Sequence, residues 1–118
     1  MGLLIDSYDF GTIVINGKKY TTDVIVFPNR VRDRWWRKEG HCLHLEDLQE
    51  VLDPTIPPEV LVIGTGYSGV MRVPNELVKE LSSRRIQVIA QPTKQACQTF
   101  EGLLKSGRGV VAVLHITC

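Results

Sequence analysis

The chain has 118 residues, 43% of them hydrophobic and 23% charged, and carries a formal net charge of +1. That length holds one domain with a real core, and the balance excludes wholesale disorder and any global electrostatic pull toward nucleic acid or an acidic membrane. Three cysteines are too few for a disulfide scaffold and point to a reducing compartment.

The N-terminus, Met1-Gly2-Leu3-Leu4-Ile5-Asp6, has no basic n-region and no long apolar stretch, so no signal peptide is expected. A cytoplasmic location follows as the expectation. Thr12-Ile13-Val14-Ile15 and Lys18-Lys19-Tyr20-Thr21 flank Asn16-Gly17, a pair that accepts two positive φ values and so predicts a β-hairpin. Asp23 to Phe27 predicts a third strand, stopped by Pro28-Asn29. From Arg30 to Lys38, five basic residues and two tryptophans stand against Asp33 alone, a local charge of +4 inside a near-neutral chain. Leu45, Leu48, Val51 and Leu52 share one face of a short helix, roughly Leu45 to Leu52. The stiff connector Asp53-Pro54-Thr55-Ile56-Pro57-Pro58 ends it.

Beyond Pro58 the pattern alternates. Val60–Ile63 predicts a buried strand, and Pro74 opens a helix to about Arg84 with Leu77, Val78 and Leu81 inward. Ile86–Ala90 predicts a strand. A helix from Thr93 follows, with Ala96, Phe100, Leu103 and Leu104 on one face and Gly107 at its stop. Val110–Ile116 closes the series as a core strand; its aliphatic run is far below the roughly 20 residues of a membrane span. This is βαβαβ logic, with helices covering a sheet buried on both faces. The expected organisation is one α/β domain: a hairpin unit with its third strand over 1–29, a basic loop and short helix over 30–59, and the βαβαβ part over 60–118.

Three groups of residues carry chemistry. Gly64-Thr65-Gly66-Tyr67-Ser68-Gly69 spells G-x-G-x-x-G after a strand, as a dinucleotide fingerprint does. Yet Pro74 forbids a helix running on from the glycines, and Arg84-Arg85 occupy the place of the acidic residue that would hold the ribose. A glycine-permitted turn is therefore favoured, with an amide nest for a small anion as the intermediate reading. In that second reading Gly64, Thr65, Gly66, Ser68, Gly69 and the helix N-terminus at Thr93 form a ligand pocket. His115 joins it if the last strand runs parallel to its neighbours.

The second group is Arg30, Arg32, Arg34, Trp35, Trp36 and Arg37, whose composition suits a partner surface. Against it stands a solvated loop with one tryptophan plugging the core, and behind both a nucleic-acid contact, which the lack of overall basic charge disfavours. The third is His41-Cys42-Leu43-His44 with His115 and Cys118. No metal site is expected there, because positions 115 and 118 of a strand face opposite ways. No cofactor and no catalytic set is expected either.

Phe10-Gly11, Tyr20, Asp23, Trp36, Gly40-His41, Val62-Ile63-Gly64-Thr65-Gly66, Ser68-Gly69, Pro92-Thr93, Ala96 and Leu114-His115-Ile116-Thr117-Cys118 together resemble a known domain family. It is a domain-of-unknown-function family first defined structurally from a methanogen protein. Its relatives include a mammalian adipogenesis-associated protein and an assembly factor for respiratory complex I. One departure is Glu101 after Phe100, where the family has asparagine after an aromatic residue. The resemblance implies a three-layer α/β domain with a mixed sheet of about five strands and a small extra β element, and it brings no established catalytic activity or cofactor. It places the leading expectation on an interaction or assembly protein, with the Arg30–Lys38 segment facing a protein partner; the alternative is the small-anion pocket.

Overall fold

The computed structural model describes residues 4–52 and 57–118 of the chain; most of the proline-rich connector expected between the two halves lies outside the described residues. Strand β1 (Ile5–Asp9), β2 (Thr12–Ile15) and β3 (Lys18–Tyr20) form an antiparallel three-stranded sheet in that order. Asn16 and Gly17 adopt φ of 51° and 79°, the paired left-handed values that a type I′ hairpin turn needs. β1 escapes sequence reading because only Ile5 in it is buried and the pairing slips between Ile5 and Ser7, so no alternating apolar pattern marks it.

The second sheet holds β4 (Val24–Val26), β5 (Val31–Arg32), β6 (Val60–Thr65), β7 (Gln87–Gln91) and β8 (Val110–His115) in the order β5-β4-β8-β6-β7. β6 runs parallel to both β7 and β8, whereas β4 is antiparallel to β8 and β5 to β4. The sheet is therefore mixed. The third strand of the N-terminal segment leaves the hairpin and joins this sheet, where Val24 faces Leu114 and Val26 faces Ala112 in register. Between them, a 3-10 helix at Leu45–Leu48 replaces the longer helix that the leucine spacing suggested; a segment this short cannot propagate α-helix without tertiary help.

All residues of β6 and β8 are buried, as a central parallel pair requires. Their alternation splits the core. Val60, Val62, Ala112 and Leu114 face Phe100 and Ala96 of α2 (Thr93–Lys105) together with Ile13 and Ile15 of the hairpin sheet. Leu61, Ile63, Val111 and Val113 face Leu77 and Leu81 of α1 (Asn75–Ser83) together with Trp35, Leu43 and Leu48. Three layers result. Among the described residues no helix is long and apolar enough to cross a membrane.

The path β6–α1–β7 steps to one side of β6, and β7–α2–β8 returns to the other. Right-handed crossovers of opposite direction put the two helices on opposite faces, so β6 is the switch point of the sheet. The carboxyl ends of β6 and β8 meet there, with Thr65 paired to His115.

Candidate functional site

The last strand is parallel to β6, so His115 does reach the glycine-loop edge, as the conditional sequence argument required. The crevice it enters is closed by the protein itself. The fully buried Thr93 hydroxyl donates to the His115 carbonyl at 2.6 Å and accepts from the Gly66 amide at 2.9 Å. The Thr93 amide donates to Gly66 O at 3.0 Å, Tyr67 N to Thr117 O at 2.7 Å, and Gly69 N to Gly66 O at 3.2 Å. Of the amides in the expected anion nest, that of Gly66 is thus taken by the Thr93 hydroxyl and those of Tyr67 and Gly69 by the protein's own carbonyls. Gly64, Thr65, Gly66, Thr93 and His115 do come together, as a buried knot; Ser68 and Gly69 stay exposed on its rim. Replacing Thr93 by valine strands the Gly66 N–H and removes a donor from His115 O. We expect a loss of about 2 kcal/mol in denaturant unfolding, against less than half that for Thr93→Ser.

Beside this knot lies a cluster that sequence reasoning left unassembled. Asp23, at the entry to β4, accepts from Ile116 N at 2.8 Å through Oδ1. Its Oδ2 accepts from Arg37 Nη1 at 2.6 Å and meets His115 Nδ1 at 2.9 Å. Arg37 Nη2 donates to Gly40 O at 2.9 Å, and the guanidinium lies 4.9 Å from the Trp35 ring centre. His115 Nδ1 also lies 3.0 Å from Arg37 Nη2, which can only donate, whereas the Asp23 carboxylate can only accept. One nitrogen cannot serve both, and we assign its proton to the shorter contact, with Asp23. Burial pushes the Asp23 carboxyl up, but hydrogen bonds from His115, Ile116 N and Arg37 outweigh it and hold the group below its ordinary 3.8.

His115 Nε2 and Arg37 Nε are buried and have no hydrogen-bond partner among the described residues. A general base must come within hydrogen-bond reach of the proton it takes, and a ring with 5% exposure does not reach an external substrate. The cluster instead braces the C-terminal segment, which Tyr8 also grips through a 3.0 Å bond to Ile116 O. Outside the brace, the His41 ring stands edge-on to His115 at 5.9 Å, and its Nε2 lies 3.6 Å from the exposed Cys118 Sγ. Cys97 is inert by contrast: burial, with the Glu101 charge behind it, pushes its thiol up to about 12.

The basic segment divides into two fates. Trp35 is 5% exposed and donates from Nε1 to Asp47 O at 2.9 Å, so it plugs the core under the sheet. Arg37 is drawn inward by Asp23. Both leave the surface that the sequence assigned to six residues. Arg30, Arg32, Arg34 and Trp36 remain outside, Trp36 at 73% exposure. Arg30 and Arg32 share Glu50 at 3.1 and 3.4 Å, whereas Arg34 makes no ion pair among the described residues. Arg34 also holds a φ of 54°, a left-handed conformation that costs a non-glycine residue about 1–2 kcal/mol. A groove of about 360 Å³ runs between Arg32, Arg34, Trp36 and the acidic side chains Glu46, Asp47 and Glu50.

The chain is similar to known proteins over nearly its whole length. The chain is 32% identical over 115 residues to the human protein named NADH dehydrogenase [ubiquinone] 1 alpha subcomplex assembly factor 3, covering 95% of this chain and 60% of that protein. The protein of the same name in Danio rerio is 34% identical over 116 residues, covering 96% of this chain and 64% of its own length. The chain therefore spans under two thirds of these curated relatives. Among solved structures, a conserved hypothetical protein from Pyrococcus horikoshii OT3 superposes with a TM-score of 0.81 at 28% identity, covering 97% of this chain and 98% of that one. Residues 5–115 match the family described as Protein of unknown function (DUF498/DUF598), and the chain belongs to that family.

Proposed function

We propose that this protein is an assembly-type factor that holds a partner polypeptide and turns over no substrate, with Arg30, Arg32, Arg34 and Trp36 as its docking face. The observation that carries the reading is Trp36, 73% exposed on a domain that buries its other tryptophan. Tryptophan and arginine dominate binding hot spots because each offers a large rigid face with a polar edge. Arg34 adds to this, since it sits in a strained backbone and its charge makes no ion pair among the described residues. The relatives' names support the assembly role, and by analogy the partner would be a polypeptide of an NADH dehydrogenase-type complex. The closed glycine loop and the sealed His115 weigh against the small-anion or enzymatic alternative.

The test is affinity capture from native extract with the partner quantified by mass spectrometry. Trp36→Ala is expected to lower recovery of a defined partner by about 30-fold, the loss of roughly 2 kcal/mol at a hot spot. Arg34→Gly should also lower it while leaving thermal stability unchanged or raised, because glycine relieves the left-handed strain. Lys94→Ala, on α2 at the opposite face of the sheet, should change nothing. Equal recovery by wild type, Trp36→Ala and Arg34→Gly overturns the docking face. Recovery of no specific partner by any variant overturns the assembly reading itself.

A further inference from the structure

The turn that follows Arg37 carries donor groups that the docking face does not use. Glu39 and Cys42 pair as an antiparallel bridge across Gly40-His41, which sets their side chains on one face. His44 has an extended backbone, φ −118° and ψ 156°, and stands two residues beyond Cys42, so alternation returns it to the same face. A carboxylate oxygen, a thiol sulfur and an imidazole nitrogen consequently lie within 4.8 Å of one another, with His44 Nε2 2.7 Å from Glu39 Oε2. Donors around a tetrahedral zinc, with bonds of about 2.0–2.3 Å, stand roughly 3.3–3.8 Å apart. The three groups are within side-chain adjustment of that spacing.

The scaffold behind them is fixed on both sides. Asp47 accepts from the Lys38 amide at 2.9 Å and from the His44 amide at 2.8 Å, so one carboxylate clamps both ends of the turn. Across from it, Arg72 N donates to His41 O at 2.8 Å and Leu43 N to Arg72 O at 3.0 Å. These bonds fix the backbone that carries the three donors, which lowers the ordering cost of gathering them on an ion.

We propose that Glu39, Cys42 and His44 form a binding site for one divalent ion of the zinc class, with a fourth position open to water. The mixed sulfur, nitrogen and oxygen set favours zinc or cobalt(II) over magnesium or calcium, which take oxygen ligands. Glu39 and the Cys42 thiolate supply two negative charges to the dication, and binding releases the Cys42 thiol proton to solvent. Sequence spacing pairs Cys42 with His41 and His44 and never with Glu39, because the bridge that brings Glu39 alongside is not visible in spacing.

Cobalt(II) titration of chelator-treated wild-type protein reads the site directly. The expected result is one-to-one binding with a thiolate-to-cobalt charge-transfer band in the near ultraviolet. Cys42→Ser abolishes that band, and Glu39→Gln and His44→Gln each weaken zinc competition against a chromophoric chelator by about tenfold or more. Cys118→Ser and His41→Gln leave both readouts unchanged. A wild-type spectrum without a thiolate band overturns the site, and this arm needs no variant to fold. So does a band that survives Cys42→Ser or disappears with Cys118→Ser, which would assign the metal to surface groups elsewhere.

Discussion

Asp23→Ala should remove about 3–5 kcal/mol of folding stability, the cost of leaving one member of a buried ion pair uncompensated. The Arg37 side chain is 5% exposed and bonded to Asp23 Oδ2 at 2.6 Å, and His115 and the Ile116 amide lose their acceptor in the same substitution. Asp23→Asn keeps the shape and an acceptor oxygen for Ile116 N, so it should cost less but still expose the guanidinium to an uncharged neighbour. Denaturant unfolding at neutral pH separates the two variants. A loss below about 1 kcal/mol for Asp23→Ala would mean that the cluster is wetter than its geometry.

The same carboxyl sets a pH dependence with a definite sign. Its folded-state pKa is depressed below 3.8, so the native state holds fewer protons on this group than the unfolded state does in acid. The stabilisation is fully present above the ordinary carboxylate range, weakens as pH falls through it, and is gone below the depressed native value. Wild type should therefore lose stability as pH falls through that window. Asp23→Asn should show a shallower slope there, and unchanged slopes would mean that other carboxylates carry the acid transition.

How much of this is written in the sequence differs from element to element. The hairpin is readable at Asn16-Gly17 because the turn is a property of two adjacent backbones. The strands at Val60–Ile63 and Val110–Ile116 are readable as unbroken apolar runs, because both their faces are buried, and the helix from Thr93 by its 3.6-residue period. β1 and β5 are not, being too polar or too short to repeat anything. The brace is the harder case. Asp23 and His115 are 92 residues apart, and only their surroundings give a hint: a histidine closing a strand of unbroken aliphatics must find a partner, since a buried polar group without one is costly. The Arg30–Lys38 segment shows composition without period, so the sequence cannot tell that Trp35 and Arg37 turn inward while Trp36 and Arg34 stay out. Tertiary contacts with Asp47 and Asp23 decide that.

Gly66→Ala should cost about 4 kcal/mol, and the reason separates two readings of the glycine motif. Gly66 holds φ +109°, and a Cβ there would stand 2.5 Å from Cys118 O and 2.9 Å from Thr117 O. Both obstacles are backbone, so relief requires the chain at Thr117–Cys118 to shift; strain of roughly 1–3 kcal/mol adds to overpacking of about 1–3 kcal/mol. Gly11→Ala is the control, since φ is +76° but nothing lies within 4 Å of its Cβ, and only the conformational penalty of about 1 kcal/mol remains. The difference between the variants measures the close approach itself. In Gly66→Ala the C-terminal segment must move, so the bond from Tyr67 N to Thr117 O should open and its amide should exchange faster with solvent. Equal costs for the two variants, with Tyr67 exchange unchanged, would mean that the C-terminal backbone does not occupy the loop. The expected inequality gives Gly66 its role: the spelling that elsewhere admits a pyrophosphate admits here the backbone of Thr117 and Cys118.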